Sequence, residues 1–140
     1  DSSNVGAIGF CWGVWAMTKA CAMGVNFKCG VGFHPSLKFE DVAFGMDQLR
    51  MAKLAADRTP LLFCVAGNDL DNLKPPDGEV ARIISSSSKH NAGGSNQPQC
   101  VEFPDMMHGW VSRGDTSIER VREDAEKALQ MASNFLAHWM

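Results

Sequence analysis

Four short apolar segments divide the chain at intervals, and they constrain its fold more than any other feature. They span residues 5–10, 29–33, 60–66 and 99–103, and a stretch with helical spacing follows each of them. Continuous apolar runs of this length are typical of strands that are buried on both faces, as in parallel sheets. The alternation therefore predicts an α/β fold, with a parallel sheet of about four strands and flanking helices.

Three helices are predicted between these strands, at residues 13–23, 41–57 and 79–86. Gly24 follows the first, at the position where a glycine commonly ends a helix. The third runs into a serine-rich stretch and a polar loop that ends at Pro98. Helices in these places act as the crossover connections that parallel strands require.

The last helix has the clearest amphipathic pattern. Thr116 and Glu119 have the spacing of a capping box, which predicts where the helix starts. Apolar residues then recur at helical spacing, while charged residues occupy the opposite face. The apolar positions are Val121, Ala125, Ala128, Ala132, Phe135 and Trp139. We expect this helix to lie on the outside of the sheet.

Composition excludes several classes of partner. The 140 residues are 45% hydrophobic and 21% charged, with a formal net charge of −3. An acidic balance does not favour binding to nucleic acid or to an anionic membrane surface, and no apolar run is long enough to span a membrane. The chain has five cysteines, an odd number, and no Cys-x-x-Cys pair, which indicates reduced thiols. We therefore expect a soluble, cytoplasmic protein.

A Gly-x-Cys-x-Gly segment joins the first predicted strand to the first predicted helix. Cys11 stands at its centre, flanked by Gly9 and Gly13. A nucleophile on a sharp strand-to-helix turn needs small residues two positions to either side, so that the backbones can approach. The start of a helix also favours a thiolate, and the N–H of Trp12 is placed to face an oxyanion. Cys11 is therefore a candidate nucleophile, with a buried structural thiol as the alternative.

His108 follows the fourth predicted strand and precedes the last helix, where a general base would complete such a site. A surface-loop histidine is the alternative interpretation. His34 follows the second strand, so it either lines a cleft or is a hydrogen-bonded structural residue. We expect His90 and His138 to be solvated.

The acid partner is predicted to follow the third strand, where two aspartates occur. A carboxylate there would hold the imidazole in one tautomer and stabilise its protonated form. Asp69 lies nearer to the strand end and is preferred, while Asp71 remains the alternative. Either could instead be a turn or capping residue. A zinc site of Cys11, His34 and His108 lacks ligand spacing, so neither a metal nor another cofactor is predicted.

Taken together, four segments resemble the dienelactone hydrolase family, over essentially the whole chain. They are residues 9–13 (GFCWG), 33–36 (FHPS), 66–75 (AGNDLDNLKP) and 108–115 (HGWVSRGD). The resemblance implies hydrolysis of a small-molecule lactone, ester or thioester through an acyl-enzyme. It implies a triad of Cys11, Asp69 and His108. Apart from the resemblance, we predict an oxyanion donor at Trp12 and possible cleft residues at His34 and Trp110.

The resemblance covers the C-terminal half of the family's catalytic domain, so residues 1–140 are expected to form a partial domain that begins at Asp1 rather than Met. Residues 5–10 would then be an exposed edge strand with apolar residues on both faces, which favours self-association. Two alternative functions follow. One is a catalytically silent half-domain that binds through this edge and the cleft, and the other is a redox-sensing thiol at Cys11.

Overall fold

Four parallel strands form the centre of the fold in the computed structural model, which describes residues 4–87, 90 and 93–140. They are β1 (Ala7–Phe10), β2 (Gly30–Phe33), β3 (Leu61–Ala66) and β4 (Gln99–Phe103). Neighbouring strands pair in the order β1-β2-β3-β4. The predicted strands and the α/β class with a parallel sheet are confirmed.

Helices connect the strands and flank the sheet. They are α1 (Trp12–Ala22), α2 (Phe39–Phe44), α3 (Gln48–Ala56), α4 (Glu79–Ser85), α5 (Trp110–Arg113) and α6 (Glu119–Trp139). Short 3₁₀ turns occupy Asp71–Leu73 and Gly94–Asn96. In the part of the chain that the structure describes, no helix is both long and apolar enough to cross a membrane.

Strand β3 shows how the two faces of the sheet are covered. All six of its residues are buried, and successive side chains point to opposite faces. Phe63 and Val65 join a core cluster with α1, α3 and α4. Leu62 and Cys64 join a second cluster, whose other side is the apolar stripe of α6. The continuous apolar run is therefore explained by burial on both faces.

The second predicted helix is wrong as a single element, because residues 41–57 contain a break between α2 and α3. Gly45 ends α2 in the left-handed region, with φ of 59°. Asp47 then caps α3, and its Oδ1 accepts hydrogen bonds from the N–H groups of Leu49 at 2.8 Å and Arg50 at 3.3 Å. Leu49, Ala52 and Ala55, which are spaced on one face of a helix, all lie within α3, so this spacing did not reveal the break.

The amphipathic face of α6 is confirmed, but its predicted capping box is wrong. The helix begins after Ile118, which has no side-chain cap, so Thr116 lies outside the capping position. Asp115 stabilises the preceding turn instead. Its Oδ1 accepts hydrogen bonds from the backbone N–H of Ser117 at 3.0 Å and from the hydroxyl of Ser117 at 2.6 Å.

Strand β1 forms one edge of the sheet. Among the described residues it pairs with β2 alone, and Ile8 is 53% exposed and Phe10 is 39% exposed. Helix α6 covers this face of the sheet at β2 and β3 and leaves these two side chains open. The predicted exposed apolar edge is therefore present in the described part of the chain.

Replacement of Asp47 by alanine tests the break between α2 and α3. The substitution removes both hydrogen bonds at the start of α3, and we expect the free energy of unfolding to fall by about 1 kcal/mol. Urea unfolding followed by circular dichroism measures this change. Asp57→Ala at the other end of the helix is the control, because a carboxylate there contributes no N-terminal cap. Equal losses in both variants would contradict the assigned cap.

Candidate active site

The turn at Cys11 has a strained backbone. Cys11 lies between β1 and α1 with φ of 52° and ψ of −116°, a region that residues with a Cβ rarely adopt. Its N–H donates to the carbonyl of Phe33 at 3.0 Å, and its carbonyl accepts from the N–H of Ser36 at 3.3 Å. These contacts hold the thiol at the carboxyl end of the sheet, at the N-terminus of α1.

The two glycines that flank Cys11 have different roles. A Cβ on Gly9 would lie 2.7 Å from backbone atoms of Gly13 and Val14, so the close approach of β1 and α1 requires glycine there. Apart from its chain neighbours and the nearby backbone of its own helix, a Cβ on Gly13 would meet no atom of the described residues within 4 Å. The expectation that both positions must be small therefore holds for Gly9 and, within the described chain, is wrong for Gly13.

His108 and Asp69 form a short contact at the same edge of the sheet. His108 Nδ1 lies 2.6 Å from Asp69 Oδ1, and the Asp69 side chain is 3% exposed. The other carboxylate oxygen accepts from the N–H of Ala66 at 2.8 Å. The backbone N–H of His108 donates to Asn68 Oδ1 at 2.6 Å. Both the ring and the backbone of His108 are thus tied to the loop after β3.

Asp71, the alternative acid, lies elsewhere. Its side chain is 97% exposed and accepts a hydrogen bond from Lys74 Nζ at 3.0 Å. Of the two aspartates, Asp69 is therefore the one that contacts His108.

The Cys11 thiol has polar partners despite its partial burial. Its Sγ lies 3.4 Å from Ser36 Oγ. Burial raises the pKa of the thiol, but hydrogen bonds with Ser36, with His108 and with the N–H of Trp12 outweigh burial, so the pKa of Cys11 is lowered. Among these, Ser36 contributes most, followed by His108. The site therefore makes the Cys11 thiol easier to ionise than an ordinary cysteine.

The pKa of His108 is shifted in the opposite direction to that of Cys11. Burial lowers its pKa, but hydrogen bonds with Asp69 and Cys11, together with their negative charges, raise the pKa above its usual value. A thiol with a lowered pKa beside an imidazole with a raised pKa favours transfer of the proton from sulfur to nitrogen.

His34 is buried against this pair and does not line the cleft, which corrects that prediction. It is 1% exposed, with φ of 42°, and its ring centroid lies 4.9 Å from that of His108 and 5.6 Å from that of Trp110. Neither ring nitrogen has a hydrogen-bond partner among the described residues, so it is not a hydrogen-bonded structural histidine either. Burial and the neighbouring His108 lower the pKa of His34 to about 4, which keeps its ring neutral near neutral pH.

A cleft of about 280 Å³ opens beside His108. Its lining consists of Pro35, Ser36, Lys38, Asn68, Asp69, Leu70 and His108. Trp110 lines an adjacent groove on the other side of His108, although most of its side chain is buried. Within residues 4–87, 90 and 93–140, no three His, Cys, Asp or Glu side chains are grouped to hold a metal ion.

Ser36 and Asn68 are the site residues that sequence reasoning missed. Both follow a strand at its carboxyl end, and polar residues at that edge of a parallel sheet are candidates for the site. That positional signal was available for each residue. The specific contacts, with Cys11 and His108, required the loop conformations.

The burial of His34 predicts an effect of pH on stability. Its folded pKa lies below its unfolded pKa of about 6.5, so the unfolded chain binds the proton first and the native state loses stability as the pH falls from about 6.5 to about 4. His34→Asn removes this titration, and asparagine tolerates a positive φ. Between about pH 7.5 and about pH 4.5, we expect the variant to lose roughly 2 to 3 kcal/mol less than the native chain in urea unfolding. The exposed His138, changed to asparagine, is the control, and identical losses in both variants would refute the effect.

Comparison with known proteins adds one finding to this geometry. A family model described as the dienelactone hydrolase family matches residues 1–140. No match was found among curated proteins or among solved structures. The family is one of hydrolases, and its α/β fold agrees with the observed sheet and helices. The chain therefore belongs to the dienelactone hydrolase family.

Proposed function

We propose that the chain hydrolyses small-molecule lactones, esters or thioesters, with Cys11 as nucleophile, His108 as general base and Asp69 as the acid that orients His108. One observation carries the proposal. Asp69 Oδ1 holds the imidazole of His108 at 2.6 Å through Nδ1, and the Cys11 thiol on the strained turn is near enough to that imidazole to raise its pKa. A base oriented by a carboxylate and directed at a nucleophile is the arrangement that acyl transfer requires.

The proposed reaction has two stages. His108 takes the proton from Cys11, and the thiolate adds to the carbonyl carbon while the N–H of Trp12 donates to the oxyanion. The C–O or C–S bond to the leaving group then breaks, and His108 returns the proton to that group. In the second stage His108 deprotonates a water molecule, which attacks the thioester carbon. The C–S bond to Cys11 then breaks, the acid product leaves, and His108 returns the proton to the Cys11 sulfur.

The proposal predicts that each member of the triad contributes to turnover. With an aryl ester and an aromatic lactone as substrates, Cys11→Ala should abolish hydrolysis. His108→Ala and Asp69→Asn should each lower kcat/KM by about two to four orders of magnitude. The phenol group, released from the ester or freed within the opened lactone, is followed by absorbance, which measures these rates.

Asp71→Asn is the matched control for Asp69→Asn, because Asp71 is exposed and paired with Lys74. We expect native turnover in this variant. Trapping of an acylated Cys11 in rapidly quenched samples, detected by mass spectrometry, tests the covalent intermediate. Turnover that survives Cys11→Ala would refute the proposal.

A second candidate, favoured by the edge strand, is a binding module that pairs β1 with a strand of another copy of the chain. Within the described residues, one edge of β1 has no partner strand, and Ile8 and Phe10 are exposed beside it. Unpaired backbone groups next to apolar side chains favour the addition of another strand, which supports this candidate. Self-association and hydrolysis are compatible. Self-association would use the backbone edge of β1, whereas the turn after β1 sets the orientation of the Cys11 thiol.

The edge-strand candidate predicts concentration-dependent dimers. Sedimentation velocity should show a dimer in the native chain and a monomer after Ile8→Lys, because a buried lysine at the edge opposes pairing. Leu129→Lys, on an exposed position of α6, is the control and should leave the dimer unchanged. A native chain that stays monomeric at every concentration would exclude this candidate.

A further inference from the structure

We propose that Ser36 is a further catalytic residue of this site, whose hydroxyl donates a hydrogen bond to the Cys11 thiolate. The inference rests on the proposed function, in which Cys11 is the nucleophile. It assigns a role to a side chain that contacts the reacting sulfur and also lines the cleft.

The geometry places the hydroxyl at the sulfur through two contacts. Ser36 Oγ lies 3.4 Å from Cys11 Sγ, and the backbone N–H of Ser36 donates to the carbonyl of Cys11 at 3.3 Å. The second contact joins the loop after β2 to the turn after β1. Side chain and backbone of one residue therefore hold both the nucleophilic atom and the strained turn that carries it.

The loop that carries Ser36 is itself anchored. The carbonyl of Ser36 accepts from the N–H of Phe39 at 3.2 Å, at the start of α2. In α2, the buried Glu40 accepts a hydrogen bond from Trp15 Nε1 at 2.7 Å and pairs with Lys19. Trp15 and Lys19 belong to α1, which begins beside Cys11. The contacts between α1 and α2 therefore fix the position of Ser36 relative to Cys11.

A hydroxyl suits this position because it can act either as a hydrogen-bond acceptor or as a hydrogen-bond donor. Next to a thiol, Ser36 Oγ can accept a hydrogen bond from the S–H group, and next to a thiolate its O–H donates a hydrogen bond to the sulfur. Hydrogen bonds to a charged acceptor are stronger than neutral ones, so the contact favours the thiolate. When the sulfur becomes a thioester, the charge disappears and the bond weakens. Ser36 keeps its proton throughout, since the proton of Cys11 goes to His108.

Other ionisable groups surround the sulfur and bear on the test. His108, with Asp69 behind it, comes from the loops after β4 and β3. Lys38 lies on the cleft wall beside Ser36, and the buried His34 packs against His108. None of these groups is altered when Ser36 is replaced, so a change in thiol titration reports on the hydroxyl.

The experiment measures alkylation of Cys11 by iodoacetamide in the full chain, from about pH 5 to about pH 10. Cys11 is the reactive thiol, because the other four cysteines are buried and burial raises the pKa of each, to about 11 for Cys29 and to about 12 for Cys64. Mass spectrometry of the labelled peptide confirms the site. Ser36→Ala should shift the profile to higher pH and slow alkylation about tenfold on its acid side.

Two variants control this result. Ser36→Thr keeps a hydroxyl and should return the profile toward that of the native chain. Ser112→Ala removes a hydroxyl near the site that bonds the carbonyl of Gly109, and it should not move the profile. Circular dichroism at each pH identifies any variant that fails to fold, and Ser36→Thr then provides the comparison with the native chain. A Ser36→Ala profile that coincides with the native one overturns the inference, as does an equal shift in Ser112→Ala.

The outcome separates this inference from the proposed function. Thiol titration does not depend on turnover, so a shifted profile in a chain that hydrolyses no ester would support the Ser36 contact and refute the hydrolase proposal. If hydrolysis depends on Cys11 but Ser36→Ala leaves the alkylation profile unshifted, the hydrolase proposal is supported and the Ser36 contact is refuted. Where both hold, Ser36→Ala should lower kcat/KM at low pH and recover it as the pH rises.

Discussion

The left-handed backbone at Cys11 is the constraint on which the rest of the site depends. A cysteine at φ of 52° is strained, and the fold holds it there with backbone hydrogen bonds to Phe33 and Ser36. The turn also needs Gly9, because a side chain there would collide with the backbone of α1. As a result, the thiol projects from the start of a helix toward the loops that carry its partners.

Parallel pairing brings those partners to one edge. Cys11 follows β1, Ser36 lies in the loop after β2, Asp69 follows β3, and His108 follows β4. Because all four strands run in the same direction, these positions meet although they are distant in sequence. The contact between His108 and Asp69 joins residues 39 apart, and the contact between Cys11 and Ser36 joins residues 25 apart.

At the carboxyl end of the sheet, the ionisable side chains of Asp69 and His34 both contact the imidazole of His108. Asp69 is buried and stabilises a positive charge on His108, whereas His34, packed against the same ring, stays neutral because burial lowers its pKa to about 4. A second positive charge at His34 would oppose protonation of His108. The pKa values of the two histidines are thus shifted in opposite directions because their exposure and hydrogen-bond partners differ.

The sequence by itself determined the α/β class, the four strands and their order along the chain, because runs buried on both faces are continuous in apolar character. It also predicted Cys11 and His108 as candidate nucleophile and base, since a strand end followed by a helix start is visible in the pattern. Tertiary structure decided that Asp69 rather than Asp71 meets His108, that His34 is buried and that Ser36 reaches the thiol. It also decided that Gly45 and Asp47 divide the second helix. These outcomes depend on loop conformation and on distances between remote segments, which periodicity and spacing do not encode.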